Sequence, residues 1–362
     1  MRVLIIFNHP APYKVKAFNE LSKYVSLTVL FERTRAKNRP DSFYDTNKYN
    51  FETVFLTDGY IGNEGTLSNK TREYIKRNHS KFDLIIMNGY SHLAEIKAIR
   101  YMSRHNIKFG LLINGGLVKK ESFIKKQIKT SLIKKAHYYL SPSKVSSDYL
   151  AYYGADKSTI HQYVYSNLYE SEIIDSPVVD KTELRKRFNL PLDKKIFINP
   201  CQFIDRKNNM QLLHLFKGRN DFLLLVGDGV EKDKYLRYVK ENNMDNVMIL
   251  PYQDKATLLD LYKASDVHIT LSKEDIFGHT VLEAFANGLP VISSNKVASS
   301  LEYVKNGYNG YIVDLNNDKD ILDKMDIVDG NLAANAIKSA KDNTFESSAK
   351  SIYKVLGEVY GK

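Results

Sequence analysis

Residues 272–290 read SKEDIFGHTVLEAFANGLP. An acidic patch containing Asp275 leads into a turn at Gly278, and apolar residues at helical spacing follow from Thr280. Asn-Gly-Leu-Pro at 287–290 ends the helix, because glycine accepts the left-handed cap and proline cannot continue a helix. A glycine turn that opens a helix aims backbone N–H groups at one point, which predicts a phosphate site.

Two carboxylates, Asp275 and Glu283, flank this predicted phosphate site. Backbone N–H groups would hold a diphosphate, and carboxylate oxygens would accept hydrogen bonds from ribose and sugar hydroxyls. The stretch therefore predicts a nucleotide-sugar site. For Glu283 taken alone, the alternative is an acid that interacts with the helix dipole.

Short apolar runs alternate with helical patterns along the whole chain, which predicts an α/β fold. Because 362 residues are too many for one ordinary domain, we expect two doubly wound domains. The acidic segment 169–181 is the predicted linker. The expected domains are 1–180 and 181–340, followed by a helical segment 341–362 that crosses back to the first domain.

Composition excludes several classes of protein. The sequence has no run of 18 apolar residues, so no membrane span is expected. The opening MRVLIIF is typical of a first strand, because a signal peptide needs a longer apolar region and a cleavage site. A single cysteine, Cys201, allows no disulfide framework or metal cluster and fits a reducing cytoplasm.

The positive charge lies in the first half of the chain. Residues 1–180 hold 27 Lys and Arg against 17 Asp and Glu, and residues 181–362 hold 26 against 25. The most basic segment is 119–135, where one apolar helical face is predicted at Ile124, Ile128, Leu132 and Ala136. An ordinary packed helix with a solvated lysine face is one interpretation. A helix at an anionic membrane surface is the other. Nucleic acid is a weaker third, because no aromatic–basic interleaving is present.

Two further loops follow predicted strands of the second half. Arg206 and Lys207 follow the strand at 196–199, and Gly227 follows the strand at 222–226. Because ligands of doubly wound sheets bind where strands end in loops, the loop with Arg206 and Lys207 is a candidate for ligand contact. For Arg206 and Lys207 alone, a solvated loop pair is the alternative.

The nine residues from Asp275 to Glu283, continuing as AFANGLPVI, resemble the acid–x7–acid motif of retaining GT-B glycosyltransferases of family 4, of the bacterial surface-polysaccharide type. The segment 201–208, CQFIDRKN, resembles that family's second signature. The resemblance covers 190–315, whereas 1–180 matches only in general organisation. It implies a GT-B fold, with two Rossmann-like domains facing across a cleft.

The resemblance also implies roles for individual residues. Asp275 would bind donor-sugar hydroxyls, Glu283 the ribose hydroxyls, and Arg206 and Lys207 the departing nucleoside diphosphate. The remaining donor contacts would come from Phe277, Gly278, His279, Thr280, Gln202 and Gly227.

This sequence departs from the family pattern at two positions. Asp275 stands where the family usually has Glu, so the adjacent Glu274 could read the sugar instead. Gln202 stands where many members have Arg. The first domain of such enzymes often supplies a histidine, for which His92 is our candidate and His9 the alternative.

The resulting expectation is a retaining, metal-independent glycosyltransferase without a cofactor. It would move a sugar from a UDP-sugar, or alternatively a GDP-sugar, to a lipid-linked glycan acceptor in surface-polysaccharide biosynthesis. We expect a cytoplasmic protein, peripheral on the inner face of the membrane, that does not bind nucleic acid. The alternatives are a nucleotide-sugar epimerase on the same fold and a non-catalytic scaffold subunit.

Overall fold

A computed structural model describes residues 1–36, 41–45, 48–58, 60–61 and 69–361. The chain forms two compact units. The first unit comprises Met1–Asn167 and Thr344–Lys362, and the second comprises Leu168–Asn343.

The first unit is built on a seven-stranded parallel sheet with the order β4-β2-β1-β6-β7-β8-β9. Residues 3–7, in an interior strand of this sheet, are at most 3% exposed, as expected for a strand covered on both faces. The strands of this unit, including the separate pair β3 and β5, are β1 (Arg2–Phe7), β2 (Ser26–Phe31), β3 (Arg35–Ala36), β4 (Glu52–Phe55), β5 (Tyr60–Ile61), β6 (Leu84–Asn88), β7 (Gly110–Leu112), β8 (Tyr138–Ser141) and β9 (Ile160–Gln162).

Helices connect these strands in the right order for parallel crossovers. They are α1 (Pro12–Leu21), α2 (Lys70–Asn78), α3 (Leu93–Arg104), α4 (Phe123–Ile133) and α5 (Lys144–Tyr152). The strand order reverses between β1 and β6, so the loops after these two strands border the crevice where doubly wound sheets bind ligands.

The second unit has a six-stranded parallel sheet with the order β12-β11-β10-β13-β14-β15. Its elements are β10 (Ile196–Pro200), β11 (Phe222–Val226), β12 (Val247–Leu250), β13 (Val267–Thr270), β14 (Val291–Ser294) and β15 (Gly310–Val313), with α6 (Thr182–Arg187), α7 (Asn209–Phe216), α8 (Lys232–Glu241), α9 (Lys255–Ala264), α10 (Thr280–Ala286), α11 (Ala298–Tyr303), α12 (Asp318–Ile327) and α13 (Ala333–Lys341). This is the Rossmann order, with its switch point between β10 and β13. The expectation of two doubly wound α/β units is confirmed.

The segment 169–181, interpreted as a linker, lies in the second unit. Leu168 and Ile173 are buried in that unit's core, and the Ile174 backbone N–H donates to the Ala286 carbonyl over 3.0 Å. The unit boundary therefore falls between residues 167 and 168, before the predicted position at 180.

The last helix, α14 (Phe345–Tyr360), belongs to the first unit, where it contacts α1. Tyr353 stacks on Tyr24 with ring centroids 5.4 Å apart, and Ser351 Oγ accepts a hydrogen bond from the Val164 backbone N–H over 3.0 Å. Within the described part of the chain, no helix is both long and apolar enough to cross a bilayer.

Candidate functional site

The loops after β10 and β13 meet at the switch point of the second unit. Several contacts join them. Lys273 Nζ lies 2.8 Å from Asp205 Oδ1, the Lys273 backbone N–H donates to the Arg206 carbonyl over 2.8 Å, and the Arg206 guanidinium donates to the Glu274 carbonyl over 3.1 Å. The salt bridge to Lys273 lowers the pKa of Asp205. The two signature loops thus form one connected structure.

A charged triad occupies the middle of this structure. Lys207 Nζ forms an ion pair with Asp275 Oδ2, and the Arg206 guanidinium lies 3.9 Å from the same oxygen. The Lys207 and Asp275 side chains are only 12% and 16% exposed, whereas Arg206 is 44% exposed. The triad therefore combines a half-buried, ion-paired lysine with an arginine that extends into solvent.

The position of Asp275 is set by its own backbone. Its N–H donates to the Lys296 carbonyl over 2.9 Å, and its carbonyl accepts from the Ala298 N–H over 3.1 Å, so the acid is tied to the loop after β14. Glu274 contributes its carbonyl to Arg206. The structure therefore brings Asp275 into an ion pair with Lys207.

The turn at Gly278 requires glycine. Its φ of +84° is left-handed, and an added Cβ would lie 2.8 Å from Val297 Cγ1. Ser299 Oγ donates to the Gly278 carbonyl over 2.7 Å, and Phe277 is buried against Tyr303. These contacts fix the backbone of the turn before Thr280, where the helix starts.

Helix α10 is only seven residues long. Its dipole is correspondingly weak, so the predicted phosphate site depends more on the turn and on the two cations of the charged triad than on the helix itself. Glu283 lies in the first turn of α10, half-buried, and the Tyr262 hydroxyl donates to its Oε2 over 3.4 Å. His279 lies immediately before this helix, at its N-cap.

The other predicted donor contacts lie on the neighbouring loops. Gln202 is exposed after β10. Gly227 follows β11 with φ +151°, and an added Cβ would lie 1.9 Å from the Cys201 carbonyl oxygen. Only glycine allows these two loops to approach so closely.

The two candidate histidines lie at the switch point of the first unit. His9 follows β1, and its Nδ1 is 3.0 Å from the Tyr44 hydroxyl. His92 follows β6 at the start of α3, and Glu95 Oε2 accepts from its backbone N–H over 3.0 Å. The roles of both residues stay predictions.

Sequence reasoning missed three residues of this arrangement: the Asp205–Lys273 pair and Tyr262. Asp205 and Lys273 occur in loops where a lone charge is usually solvated, so no signal singled them out. Tyr262 lies within an ordinary amphipathic helix pattern and is recognisable only from its position in the fold.

The family comparison covers part of the chain. Residues 180–343 match the model described as Glycosyl transferases group 1. N-acetyl-alpha-D-glucosaminyl L-malate synthase of Bacillus anthracis is 26% identical over 247 residues, or 66% of this chain and 57% of that protein. The O-antigen biosynthesis glycosyltransferase WclY of Escherichia coli is 26% identical over 156 residues, 42% of each chain. The chain thus spans about half the length of these curated relatives.

The structural comparison covers the whole chain. The crystal structure of Anabaena Alr3699/HepE in complex with UDP has a TM-score of 0.75 and 16% identity, over 100% of both chains. At this identity the match shows the fold alone, which is the GT-B type that the resemblance implied.

Proposed function

We propose that this chain, whose residues 180–343 form a Glycosyl transferases group 1 domain, is a retaining, metal-independent glycosyltransferase that uses a UDP-sugar. The observation that carries the proposal is the Lys207–Asp275–Arg206 triad at the switch point of a Rossmann sheet. Support for UDP comes from the Anabaena structure of the same fold, which is a complex with UDP.

Charge development on the leaving diphosphate is the main electrostatic problem of glycosyl transfer. Lys207 and Arg206 are held where two cations can face that charge, and the backbone of 277–280 supplies donors. Preorganised cations of this kind replace a divalent ion. Addition of a chelator should therefore leave donor turnover unchanged.

The two acids have separate tasks in this proposal. Asp275 orients Lys207 through their ion pair and accepts hydrogen bonds from the sugar hydroxyls. Glu283, on the far side of the Gly278 turn, accepts the ribose hydroxyls. Asp275→Ala should then impair sugar selection more than UDP binding, and Glu283→Ala should impair UDP binding. If Glu274→Ala instead reproduces the Asp275 defect, the sugar contact belongs to Glu274.

Hydrolysis and thermal-shift screens with UDP-, GDP- and dTDP-sugars test the donor. A ligand that binds only the native state raises the melting temperature, and we expect UDP-sugars to give the largest shift. At a donor concentration below KM, hydrolysis should fall strongly in Glu283→Ala, because the donor binds less well, and persist in Glu183→Ala, a control at an exposed position. Silence against every donor would favour a scaffold subunit, and release of an epimerised sugar would favour an epimerase.

For the acceptor, we propose a lipid-linked glycan at the inner face of the cell membrane, in surface-polysaccharide biosynthesis. The support is helix α4, the structured part of the basic segment 119–135. Phe123, Ile124 and Ile128 are 74%, 71% and 48% exposed. The predicted apolar face is therefore only partly packed. Leu132 is buried, but the first two turns present apolar side chains among lysines.

That combination of exposed apolar and basic side chains is typical of a helix that binds an anionic bilayer surface. Contacts with Glu121 and with two tyrosines attach this helix to the rest of the first unit. Glu121 Oε2 lies 2.7 Å from Lys129 Nζ, and Glu121 Oε1 accepts from the Tyr153 hydroxyl. Lys126 Nζ lies 4.1 Å from the Tyr152 ring centre. The basic helix is thus attached to the first unit by contacts that do not involve a membrane.

Sedimentation with vesicles of stated charge tests this partner. The protein should bind vesicles containing about one third phosphatidylserine at low salt and not bind neutral vesicles. Phe123→Ser with Ile124→Ser should weaken binding, because about 0.8 kcal/mol is lost for each buried methylene. Equal recovery in the supernatant with both kinds of vesicle would contradict the membrane proposal.

A further inference from the structure

A buried tyrosine hydroxyl lies against Glu283. Tyr262, near the end of α9, is fully buried. Its Oη is 3.4 Å from Glu283 Oε2 and 3.5 Å from the Thr280 carbonyl oxygen. Both acceptors belong to the first turn of α10, so the hydroxyl reaches this turn from the core of the second unit.

In this contact the Tyr262 hydroxyl is the hydrogen-bond donor. Burial, with the nearby Glu283 charge, raises the pKa of Tyr262 well above its usual value, so the phenol stays protonated and donates. A buried hydroxyl without an acceptor is costly, which favours the contact with the carboxylate. The adjacent His268 ring, centred 6.1 Å away, is also buried and stays neutral, because burial lowers its pKa to about 3.

We propose that Tyr262 is a positioning residue that fixes the Glu283 carboxylate for recognition of the nucleotide ribose. A glutamate side chain has three rotatable bonds, so holding its carboxylate in one orientation requires contacts beyond its own backbone. A donor from the core that contacts Oε2 limits the rotamers that the Glu283 carboxylate can adopt, and so orients it for ligand recognition. The inference rests on the proposed function, since it needs a nucleotide at Glu283.

Tyr262→Phe removes the hydroxyl and keeps the ring that fills the core. We expect the dissociation constant for UDP, measured by calorimetric titration of the full chain, to rise roughly tenfold, the size of a hydrogen bond to a charged group. Because the ribose is remote from the reacting bond, KM for the donor should rise with kcat unchanged. 2′,3′-Dideoxyuridine diphosphate lacks both hydroxyls, so its affinity should change by less than about twofold.

A double-mutant cycle separates positioning from a general structural role. If Tyr262 acts through Glu283, adding Tyr262→Phe to Glu283→Ala should cost no further UDP affinity. Tyr138→Phe is the control. It removes another buried hydroxyl, which donates to the Ile85 carbonyl in the first unit, and it should not change UDP affinity.

Three results would overturn the inference: wild-type affinity for UDP in Tyr262→Phe, equal losses for UDP and the dideoxy analogue, or losses that multiply in the double variant. If UDP binding depends on Glu283 but not on Tyr262, only this inference fails. If the wild-type chain binds no nucleoside diphosphate, the proposed function fails, and the inference fails with it.

Discussion

The two units share one sheet design but place charge differently at their strand ends. In the second unit, ion pairs connect the loops after β10 and β13, with Lys207 beside Asp275 and Lys273 beside Asp205. In the first unit, buried carboxyl groups organise the corresponding edge. Glu95 accepts from the backbone N–H groups of Ser91 and His92 over 2.6 and 3.0 Å.

Another buried acid of the first unit, Glu32, follows β2 and accepts from the Thr71 hydroxyl over 2.7 Å. Burial raises its pKa to about 7. The contrast teaches that a doubly wound sheet provides only the crevice, and the loop side chains decide its chemistry. The second unit holds oriented cations that are suited to a diphosphate. In the first unit, the exposed lysines of the basic segment contribute to the excess positive charge.

The largest effect should come from Lys207→Ala. The variant removes a cation from the leaving group and leaves the poorly exposed Asp275 carboxylate without its ion pair. We expect donor turnover to fall roughly 10²–10³-fold, or about 3–4 kcal/mol. Steady-state hydrolysis of a UDP-sugar measures it. Lys186→Ala, in an exposed pair with Glu183, should retain wild-type turnover. Equal losses of turnover in the two variants would contradict a specific role of Lys207 at the leaving group.

The next effect concerns pH and belongs to the first unit. Because the pKa of Glu32 rises on folding from 4.5 to about 7, its stabilising contribution is complete below pH 4.5 and is lost as the pH rises through 7. The loss should reach up to about 3 kcal/mol. Burial is the largest cause of the raised pKa of Glu32, and the Glu95 charge raises it further. The Thr71 hydrogen bond and the charges of His92 and Arg33 lower the pKa by smaller amounts.

Urea unfolding at pH 5 and pH 8 checks this prediction. Glu32→Gln keeps an oxygen acceptor for Thr71 but cannot ionise, so its stability should fall less between the two pH values than that of the wild type. If the free energy of unfolding changes by the same amount between pH 5 and pH 8 in both proteins, Glu32 does not titrate in this range.

The third prediction tests whether the basic segment acts independently of the donor loops. Lys120→Gln with Lys125→Gln removes two exposed charges and should weaken binding to anionic vesicles by about 2 kcal/mol, roughly thirtyfold. UDP affinity should not change. Lys240→Gln with Lys319→Gln, exposed on the second unit, is the matched control. Equal vesicle binding by the two double variants would show that location of the charge is irrelevant.

The smallest effect should come from the turn of the second unit. Gly278→Ala places a methyl group against Val297 at left-handed φ and should lower the free energy of unfolding by about 1–2 kcal/mol. Gly330→Ala, where an added Cβ meets nothing within 4 Å, should be close to neutral. Chemical unfolding of both variants measures the difference, and indistinguishable midpoints would refute a strained turn at Gly278.

The sequence was most informative where physical constraints are local. Apolar runs such as 3–7 predicted buried parallel strands, and Gly-Leu-Pro marked the end of α10. The acid–x7–acid spacing identified loops that meet at the switch point. The two helices between 318 and 341 went unpredicted, because alternating charged and small residues there give only a weak apolar period.

What could not be predicted depends on tertiary packing. Periodicity placed Ile124 and Ile128 on one apolar face, but only the neighbouring elements decide how far a helix is covered, and both are exposed. The segment 169–181 lacks periodicity, yet Ile173 packs into the second core. The contact of Tyr262 with Glu283 joins residues 21 positions apart on different helices, and no sequence pattern encodes it.

Amide hydrogen exchange of the full chain, with and without saturating UDP, tests the central claim most directly. The account predicts slower exchange in the loop 201–208 and in the segment 275–283 when UDP is present, with no change in α4. Protection confined to the first unit, or none in either signature loop, would contradict the assignment of the donor site to the second unit.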